Sequence, residues 1–378
     1  MKILLISRGC PSQKDPQWGS FEKDQALALQ QLGHDVCMAS IDGRIRFYYR
    51  KWGITHPENA VLPIYNAFYI PDKCYQWLGG SAFLFIKQFQ LKKLFKEILK
   101  TWGKPDVVYA HYFMNIALSG ILKRDYNIPI IGIEHASLLQ KDKLSRHVRF
   151  LSRYAYQQST ELLTVSQGLQ QSIFNKFGVR STIVPNMVNP IFLNSKRENT
   201  ALHSVFKIVS IGSLIYRKGF DVLIEAMTQL SNSSFHLTII GGGSLYKQLQ
   251  KKIVKLGLEK NIVLSGQLSS SEIVSILEQA DLLVSSSRSE TFGVTLLEGM
   301  ALGLPVVATR CGGPEYFITP ETGIIVEKNN PLALAEAIDK ARKYPCDSHK
   351  IKKYCQLHFS AEVVAKQIES KLFKVIQK

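Results

Sequence analysis

Short hydrophobic runs alternate with amphipathic segments along most of the chain. The first run, Lys2–Ser7, is typical of a buried strand, and residues 21–32 after it have the spacing of a helix. The alternation restarts at Phe206–Ile211 and continues to a helix that begins at Pro331. Strands that alternate with helices in this way form parallel sheets covered on both faces. The sequence therefore predicts an α/β protein with two halves of the same architecture.

The length of the chain predicts two domains, since 378 residues exceed what one ordinary core accommodates. Residues 193–204 are polar and poor in hydrophobic side chains, which is typical of a linker. We therefore expect an N-terminal domain over 1–192, a C-terminal domain over 205–360, and a last helix within 361–378 that packs back on the first half. Ligands of such sheets bind beyond the carboxyl ends of the strands, which predicts a site in a central cleft between the halves.

The composition indicates a folded cytoplasmic protein. Hydrophobic residues make up 46% and charged residues 20% of the chain, close to the average of soluble proteins. The six cysteines are scattered without a CxxC pair, which suits a reducing compartment. The apolar run over residues 1–6 is too short for a secretory signal. The sequence holds no uncharged apolar run of about 18 residues, so no spanning helix is expected.

The net charge of +17 restricts the choice of partners. Nucleic acid, anionic lipid and a phosphorylated acceptor all suit a strongly basic chain, as does a mildly basic proteome. No base-reading motif accompanies the charge, so nucleic acid is not expected. Residues 44–52 and 83–100 interleave cations with aromatic side chains, which favours peripheral contact with the inner face of an anionic membrane. A helix that packs on the sheet with its lysines outward explains residues 83–100 equally well.

The strongest chemical signal lies between residues 281 and 313. A buried strand, Leu282–Ser285, is followed by a polar loop and by a helix that opens near Gly293. The free N–H groups at such a helix start bind anions, and a diphosphate suits them. Glu290 lies on the loop and Glu298 about one turn inside the helix, where carboxylates can accept hydrogen bonds from sugar hydroxyls.

The alternative interpretation is that both glutamates are solvated surface charges. It fits Glu290 tolerably. It fits Glu298 poorly, because Leu296, Leu297 and Met300 flank it and we expect its side chain to be buried on an apolar helix face.

The segment 287–313 reads S-x-x-E-T-F-G-x-x-x-L-E-G-M-A-x-G-x-P-V-V-A-T-x-x-G-G. It resembles the signature of retaining glycosyltransferases of family 4, which have the GT-B fold with two Rossmann-like domains. The resemblance implies that Glu290 contacts the transferred sugar and takes part in catalysis. It implies donor-binding roles for Phe292, Gly293, Val294 and Glu298.

Residues 212–219 are similar to the G-x-L-x-x-x-K-G element of the same family. The resemblance implies that Arg217 and Lys218 grip the donor diphosphate and that Gly212 lines the donor site. Cations that follow a strand end can neutralise a leaving group as its charge develops. A solvated basic turn is the alternative.

The first half matches the family less closely. Gly19 stands where relatives often carry two glycines near the donor phosphates, and Trp18 precedes it here. His135 ends a segment that resembles the T-H-G end of a strand in the family. The resemblance implies a donor contact for Gly19 and a catalytic position beside the donor sugar for His135, with a structural histidine as the alternative. His111 is a weaker candidate of the same kind.

The sequence contains no DxD motif and no cluster with metal-ligand spacing. We therefore expect transfer without a metal and no cofactor besides the donor. The resemblance implies retaining transfer of a hexose from a UDP- or GDP-sugar to a hydroxyl of a glycan or lipid-linked acceptor, as in polysaccharide or cell-envelope synthesis. A sugar-nucleotide epimerase of the same fold and a non-catalytic binding protein are the alternatives. A nicotinamide oxidoreductase is excluded, because residues 7–11 lack the pattern G-x-G-x-x-G.

Overall fold

The computed structural model describes residues 1–11, 18–44, 51–57, 61–74, 76–195, 197, 205–230 and 234–377. They form two compact units. Unit 1 comprises Met1–Val165, Leu169–Pro185 and Ala361–Lys378, and unit 2 comprises Ser166–Gly168 and Asn186–Ser360. Residues 186–192, which we expected in the first domain, therefore cluster with unit 2. Residues 196 and 198–204 of the predicted linker lie outside the described residues.

Unit 1 is built on an eight-stranded sheet. Its elements in chain order are β1 (Lys2–Ser7), α1 (Ser20–Gln31), β2 (Asp35–Ile41), β3 (Gly53–Thr55), β4 (Ile64–Phe68), α2 (Gly80–Thr101), β5 (Val107–His111), α3 (Tyr112–Tyr126), β6 (Ile130–Glu134), α4 (Arg146–Gln158), β7 (Glu161–Thr164), α5 (Gln167–Phe177) and β8 (Thr182–Ile183). The strand order is β3-β4-β2-β1-β5-β6-β7-β8. The α/β prediction is confirmed, although it did not include β3, β4 and β8.

One pair of strands departs from the predicted parallel arrangement. Strands β3 and β4 are antiparallel, with Ile54 opposite Ala67, whereas the other neighbouring pairs of this sheet are parallel. A parallel crossover needs a dozen or more residues, and the connection from Thr55 to Ile64 is shorter than that. The length of the connection therefore dictates an antiparallel edge.

Unit 2 is built on a six-stranded sheet whose neighbouring strands are all parallel. Its elements in chain order are α6 (Pro190–Asn194), β9 (Phe206–Ile211), α7 (Phe220–Met227), β10 (Phe235–Ile240), α8 (Tyr246–Lys255), β11 (Ile262–Gly266), α9 (Ser270–Glu278), β12 (Leu282–Ser285), α10 (Val294–Ala301), β13 (Val306–Arg310), β14 (Gly323–Glu327), α11 (Pro331–Lys343) and α12 (Ser348–Phe359). The strand order is β11-β10-β9-β12-β13-β14. Buried branched residues such as Ile208, Leu237 and Val307 join the strands to the covering helices in one core.

The chain returns to unit 1 with its last helix, α13 (Ala361–Ile376). This helix packs on α1, and His34 Nε2 lies 2.8 Å from Glu369 Oε1. Val364, Ala365, Ile368 and Leu372 form its buried face. The helix therefore contributes its apolar side to the core of unit 1.

Residues 83–100 were predicted either to contact a membrane or to form a helix packed on the sheet, and the structure shows such a packed helix, α2. Its predicted span of 83–100 is observed as Gly80–Thr101, and the buried face includes Phe83, Leu91 and Phe95. The opposite face exposes Phe85 and Phe89 as well as lysines. The helix thus packs on the unit and also presents aromatic side chains to solvent. Among the helices that the structure describes, each is too short or too polar to cross a lipid bilayer.

The strand orders place one topological switch point in each unit. In unit 1, β1 lies between β2 and β5, and in unit 2, β9 lies between β10 and β12. At such a point the connections on either side leave in opposite directions, and a crevice opens beyond the carboxyl ends of the two strands. Ligand sites of open α/β sheets are found there. Candidate site residues are therefore expected directly after β1, β5, β9 and β12.

Candidate active site

In unit 2, the loops that follow β9 and β12 meet at the switch point. The loop after β9 contains one turn of 3₁₀ helix, and the loop after β12 carries Glu290. Backbone contacts join them, because the Arg288 N–H donates to the Arg217 carbonyl at 2.7 Å and the Ser286 hydroxyl donates to the Lys218 carbonyl at 3.1 Å. The two predicted cations are therefore fixed relative to the loop of Glu290.

Glu290 forms a buried charge cluster with both cations. Its carboxylate pairs with Lys218 Nζ, and Arg217 Nη1 approaches Oε2 at 3.2 Å. The Ser287 hydroxyl donates to Oε1 at 2.9 Å, and the residue is only 7% exposed. Burial by itself would raise the pKa of Glu290, but the charges of Lys218 and Arg217 outweigh burial and hold the pKa below its usual value. Glu290 is therefore ionised at neutral pH and is no solvated surface charge.

Arg288 braces the turn that carries the cations. Its guanidinium donates to both carboxylate oxygens of Asp221, at 2.9 and 2.7 Å, and to the Tyr216 carbonyl at 2.7 Å. A planar fork of this kind fixes distance and angle together. Arg288 and Asp221 were not predicted from the sequence, where the available signal was the polar run 286–289 directly after a buried strand.

The start of α10 lies on the same loop. Gly293 precedes the helix with φ 104°, a left-handed conformation that favours glycine, and no side chain caps the first turn. The Phe292 ring is buried against Phe317, at 5.0 Å between ring centroids, so a donor contact of Phe292 would come from its backbone. Val294 is the first helical residue. The helix start therefore offers backbone N–H groups for an anion, as the sequence predicts.

Glu298 differs from the expectation. Its side chain is half-buried, whereas we expected it to be buried on an apolar helix face. Leu296, Leu297 and Met300 occupy the buried face of α10, and Glu298 lies beside that face. The expectation was wrong because apolar neighbours in sequence lie at different angles around a helix. Glu290, not Glu298, is the buried carboxylate of this loop and helix.

Gly212 lies at the end of β9 and borders the lysine. A Cβ atom at Gly212 would stand 3.1 Å from Lys218 Cε. The missing side chain therefore leaves room for the stem of Lys218 to pass. Gly212 thus allows Lys218 to reach Glu290, and its role as a donor-site residue stays a prediction.

In unit 1, two histidines meet at the switch point. His111 ends β5 and His135 follows β6, and their rings stack with centroids 5.3 Å apart and planes 6° apart. His111 is completely buried, and burial, the neighbouring His135 and Arg8 lower its pKa well below the ordinary value. His111 is therefore neutral at pH 7. The centroid of the Phe21 ring lies 5.0 Å from that of His135, which connects the histidines to the first turn of α1.

Gly19 is required by close packing of the loop after β1. Its φ is 79°, and a Cβ atom there would stand 2.0 Å from the Gly9 carbonyl oxygen. Trp18 precedes Gly19, and its Nε1 donates to the Arg8 carbonyl at 3.1 Å. The loop is therefore closed at its base by two backbone segments in contact.

Glu134 holds the backbone next to His135 and was not predicted from the sequence. It is completely buried and accepts hydrogen bonds from the backbone N–H groups of Phe113, His135 and Ala136 at 2.9, 3.0 and 2.9 Å. The Tyr156 hydroxyl donates to it at 3.2 Å. Burial raises the pKa of Glu134 to about 7, and these donors act against that rise. Glu134 fixes the backbone on which His135 stands.

The predicted site residues thus fall into two sets, one at each switch point. Unit 2 holds Arg217, Lys218, Glu290 and Glu298 with the glycines at 212 and 293, and unit 1 holds Gly19 and His135. Within the described ranges, no group of three or more His, Cys, Asp or Glu side chains is arranged to hold a metal ion.

Two family models each match one half of the chain, and similar proteins match most of its length. The family model of glycosyl transferases group 1 matches residues 193–358, and that of glycosyltransferase family 4 matches residues 23–191. An uncharacterized glycosyltransferase of Methanocaldococcus jannaschii is 34% identical over 249 residues, which cover 65% of this chain and 68% of the relative. A glycogen synthase of Mycobacterium tuberculosis is 26% identical over 365 residues, which cover 89% of this chain and 85% of that protein.

Among solved structures, HepE of Anabaena in complex with UDP superposes with a TM-score of 0.75 at 17% identity. The superposition covers 99% of this chain and 100% of that one. At this identity the likeness concerns the fold, and the fold of two Rossmann-like domains is GT-B. The chain belongs to the glycosyltransferases of group 1, family 4.

Proposed function

We propose that the protein transfers a hexose from a UDP- or GDP-sugar to a hydroxyl of a glycan or lipid-linked acceptor, with retention of the anomeric configuration and without a metal. The observation that carries the proposal is the cluster of Glu290, Arg217 and Lys218 beside the uncapped start of α10. The solved relative with UDP supports a nucleoside diphosphate as the ligand of such a fold.

The charges of the cluster suit a diphosphate leaving group. Two cations face one carboxylate, so the cluster keeps one positive charge. The N–H groups of the helix start add a partial positive charge. Together they can stabilise the additional negative charge that develops on the phosphate next to the sugar when the bond between the sugar C1 and the diphosphate oxygen breaks.

The proposed step balances without an added base. The acceptor oxygen forms its bond to C1 on the face that the diphosphate leaves, and its proton passes to the departing phosphate oxygen. Glu290 holds Lys218 and Arg217 and contacts the sugar, and the resemblance to the family implies that His135 donates or accepts a hydrogen bond with the sugar. Glu298 binds hydroxyls of the ribose.

Thermal shift with UDP-, GDP- and ADP-sugars identifies the donor, because a ligand that binds only the folded state raises its stability. NMR of the product then assigns the anomer, and an inverted product contradicts retention. Activity lost with EDTA and restored by a divalent cation contradicts the metal-free step. An isomerised sugar formed from donor alone favours the epimerase alternative.

Lys218→Gln should lower kcat by about 10²- to 10³-fold, the usual effect of removing one donor that stabilises a developing charge. Lys366→Gln removes an exposed lysine that pairs with Glu362 and serves as the control. Equal activities of the two variants would remove Lys218 from the mechanism.

We also propose peripheral contact of unit 1 with an anionic membrane. Trp77, Arg146 and Phe150 line one groove of about 510 Å³ together with Ser81 at the start of α2. An exposed stripe runs from Ser81 along α2 through two aromatic residues and three lysines: Phe85, Phe89, Lys93, Lys96 and Lys100. Aromatic and basic side chains on one face are typical of interfacial binding. Residues 45–50 of the other predicted segment lie outside the described residues.

Flotation with phosphatidylglycerol-containing and pure phosphatidylcholine vesicles tests this contact. We expect binding to the anionic vesicles alone, weakened by salt and by the double substitution Phe85→Ser/Phe89→Ser. Phe174→Ser changes an exposed phenylalanine of α5 and serves as the control. Binding that ignores lipid charge, or that survives the double substitution, contradicts the proposed surface.

A further inference from the structure

The switch point of unit 1 holds an arginine to which the proposed reaction assigns no role. Arg8 directly follows β1, and β1 pairs with β5 in the sheet. Its Nε donates to Glu22 Oε1 at 3.1 Å, and the Glu22 side chain is completely buried. This ion pair fixes one edge of the guanidinium. Since Glu22 belongs to α1, the orientation of Arg8 is set by the body of the unit.

Aromatic rings enclose the guanidinium on several sides. Its central carbon lies 4.1 Å from the ring centroid of Tyr112, 4.8 Å from that of Trp18 and 5.3 Å from that of Phe21. Cations are attracted to ring faces at such distances, and Arg stacks on them readily. Arg8 is therefore held as a preorganised group.

The backbone of Tyr112 is strained. Its φ is 68°, a left-handed conformation that bulky residues rarely adopt. Strain of this kind persists where surrounding structure imposes it, and it concentrates at ligand sites. The strained backbone carries the ring that lies nearest to Arg8.

The guanidinium remains reachable. The Arg8 side chain is 31% exposed, and its Nε edge is the one that Glu22 takes. The terminal edge of a guanidinium carries parallel N–H groups that match the two oxygens of a carboxylate or a phosphate. The neighbouring Arg44 differs, because its Nε and Nη2 both donate to Asp42, at 2.9 and 2.7 Å.

We propose that Arg8 binds an anionic group of the acceptor, a phosphate ester or a carboxylate, and so determines which acceptors are used. The inference rests on the proposed transfer, and it names the class of its second substrate. The donor diphosphate is assigned to Arg217 and Lys218 in unit 2. Arg8 therefore supplies a separate, preorganised anion-binding group at the switch point of unit 1.

Glucose 6-phosphate, glucuronate and glucose are matched probes that carry a phosphate, a carboxylate or no charge. For the wild type we expect at least one anionic sugar to bind about 10- to 100-fold more tightly than glucose in a calorimetric titration, as charged hydrogen bonds provide. The sugar that binds more tightly shows whether Arg8 recognises a phosphate or a carboxylate. Equal affinities for all three sugars overturn the proposal.

The variants separate Arg8 from folding effects. Arg8→Gln/Glu22→Gln removes both charges, so no unpaired carboxylate is left buried, and the preference for the anionic sugar should disappear. Arg8→Lys keeps the charge without the fork, and most of the preference should be lost. A double variant that keeps the preference overturns the proposal. So does an equal loss in Lys366→Gln, which removes one exposed charge elsewhere in unit 1, since net charge alone would then select the anion.

A parallel thermal-shift titration with nucleotide sugars distinguishes this proposal from the proposed function. Arg8 variants should bind the donor as the wild type does. A loss of donor binding in these variants assigns Arg8 to the donor and overturns the proposal. A wild type that binds no nucleotide sugar contradicts the proposed transfer, while the sugar titrations still report on Arg8.

Discussion

The substitution Glu290→Gln tests whether the buried charge cluster holds unit 2 together. The change removes the negative charge and leaves Lys218 and Arg217 without their carboxylate. Breaking a buried ion pair by removing one partner costs about 3–5 kcal/mol of unfolding free energy. The Lys218 side chain is 14% exposed and that of Arg217 34% exposed, so solvent screens part of the remaining charge. We therefore expect a loss of about 2–3 kcal/mol.

Urea denaturation followed by far-UV circular dichroism measures this loss from the shift in midpoint at constant slope. Glu327→Gln is the matched control, because Glu327 pairs with Arg310 in the same unit while both side chains are more than half exposed. The control should change the unfolding free energy by less than about 0.5 kcal/mol. A change of similarly small size in Glu290→Gln would refute the view that the cluster is a desolvated ion pair.

The pH dependence provides a second check on the same variant. The pKa of Glu290 lies below its ordinary value of 4.5 in the folded protein, so its carboxylate stabilises the fold above that pH. This contribution is lost as the pH falls through the folded pKa. The difference between the wild type and Glu290→Gln should therefore be constant above about pH 5 and should shrink below it. A difference that grows on acidification would contradict the sign of the effect.

Three further predictions concern the braces around the two sites. The pKa of Glu134 is raised from 4.5 to about 7 in the folded protein, so ionising this group at higher pH favours unfolding. The unfolding free energy of the wild type relative to Glu134→Gln should therefore fall by up to about 3 kcal/mol as the pH rises from 4.5 to 7. If this free energy rises instead, the four hydrogen-bond donors outweigh burial. Tyr112→Gly should be more stable than Tyr112→Ala by about 1 kcal/mol in thermal unfolding, because only glycine tolerates φ 68° without strain; equal stabilities contradict this. Arg288→Lys and Asp221→Asn should lower kcat by similar factors, because each breaks the paired hydrogen bonds that fix the turn carrying Arg217 and Lys218. Steady-state kinetics measure both effects. An unchanged kcat in both variants would show that this ion pair has no part in the mechanism.

Much of the fold could be predicted because its strands are continuous buried runs. The predicted bounds of β1, β9 and β12 are the same as the observed ones. Strands β3 and β8 span three and two residues, and so short a segment carries no period that sequence reading can detect. The antiparallel pairing of β3 and β4 is due to the short connection between them, and the hydrophobic pattern gives no information on the direction of a strand.

The site was predictable where its chemistry is local. Glu290 and the start of α10 are neighbours in the sequence, and a single pattern contains both. Glu134 and Arg288 were missed because their partners, Tyr156 and Asp221, are distant in the sequence and only the folded chain brings them together. Glu298 was placed wrongly because the composition of a helix does not define the angle of one residue around it.

The contact between Gly9 and Gly19 has a consequence for how this protein can change. The two glycines close the base of the loop after β1, so the contact between two backbone segments fixes the position at which α1 begins. Lengthening a loop whose ends are already joined costs little free energy, since the entropic cost rises only with the logarithm of its length. Evolution, or a library that keeps Trp18 and varies residues 11–17 in number and kind, can therefore exchange this stretch of sequence without rebuilding the sheet beneath it.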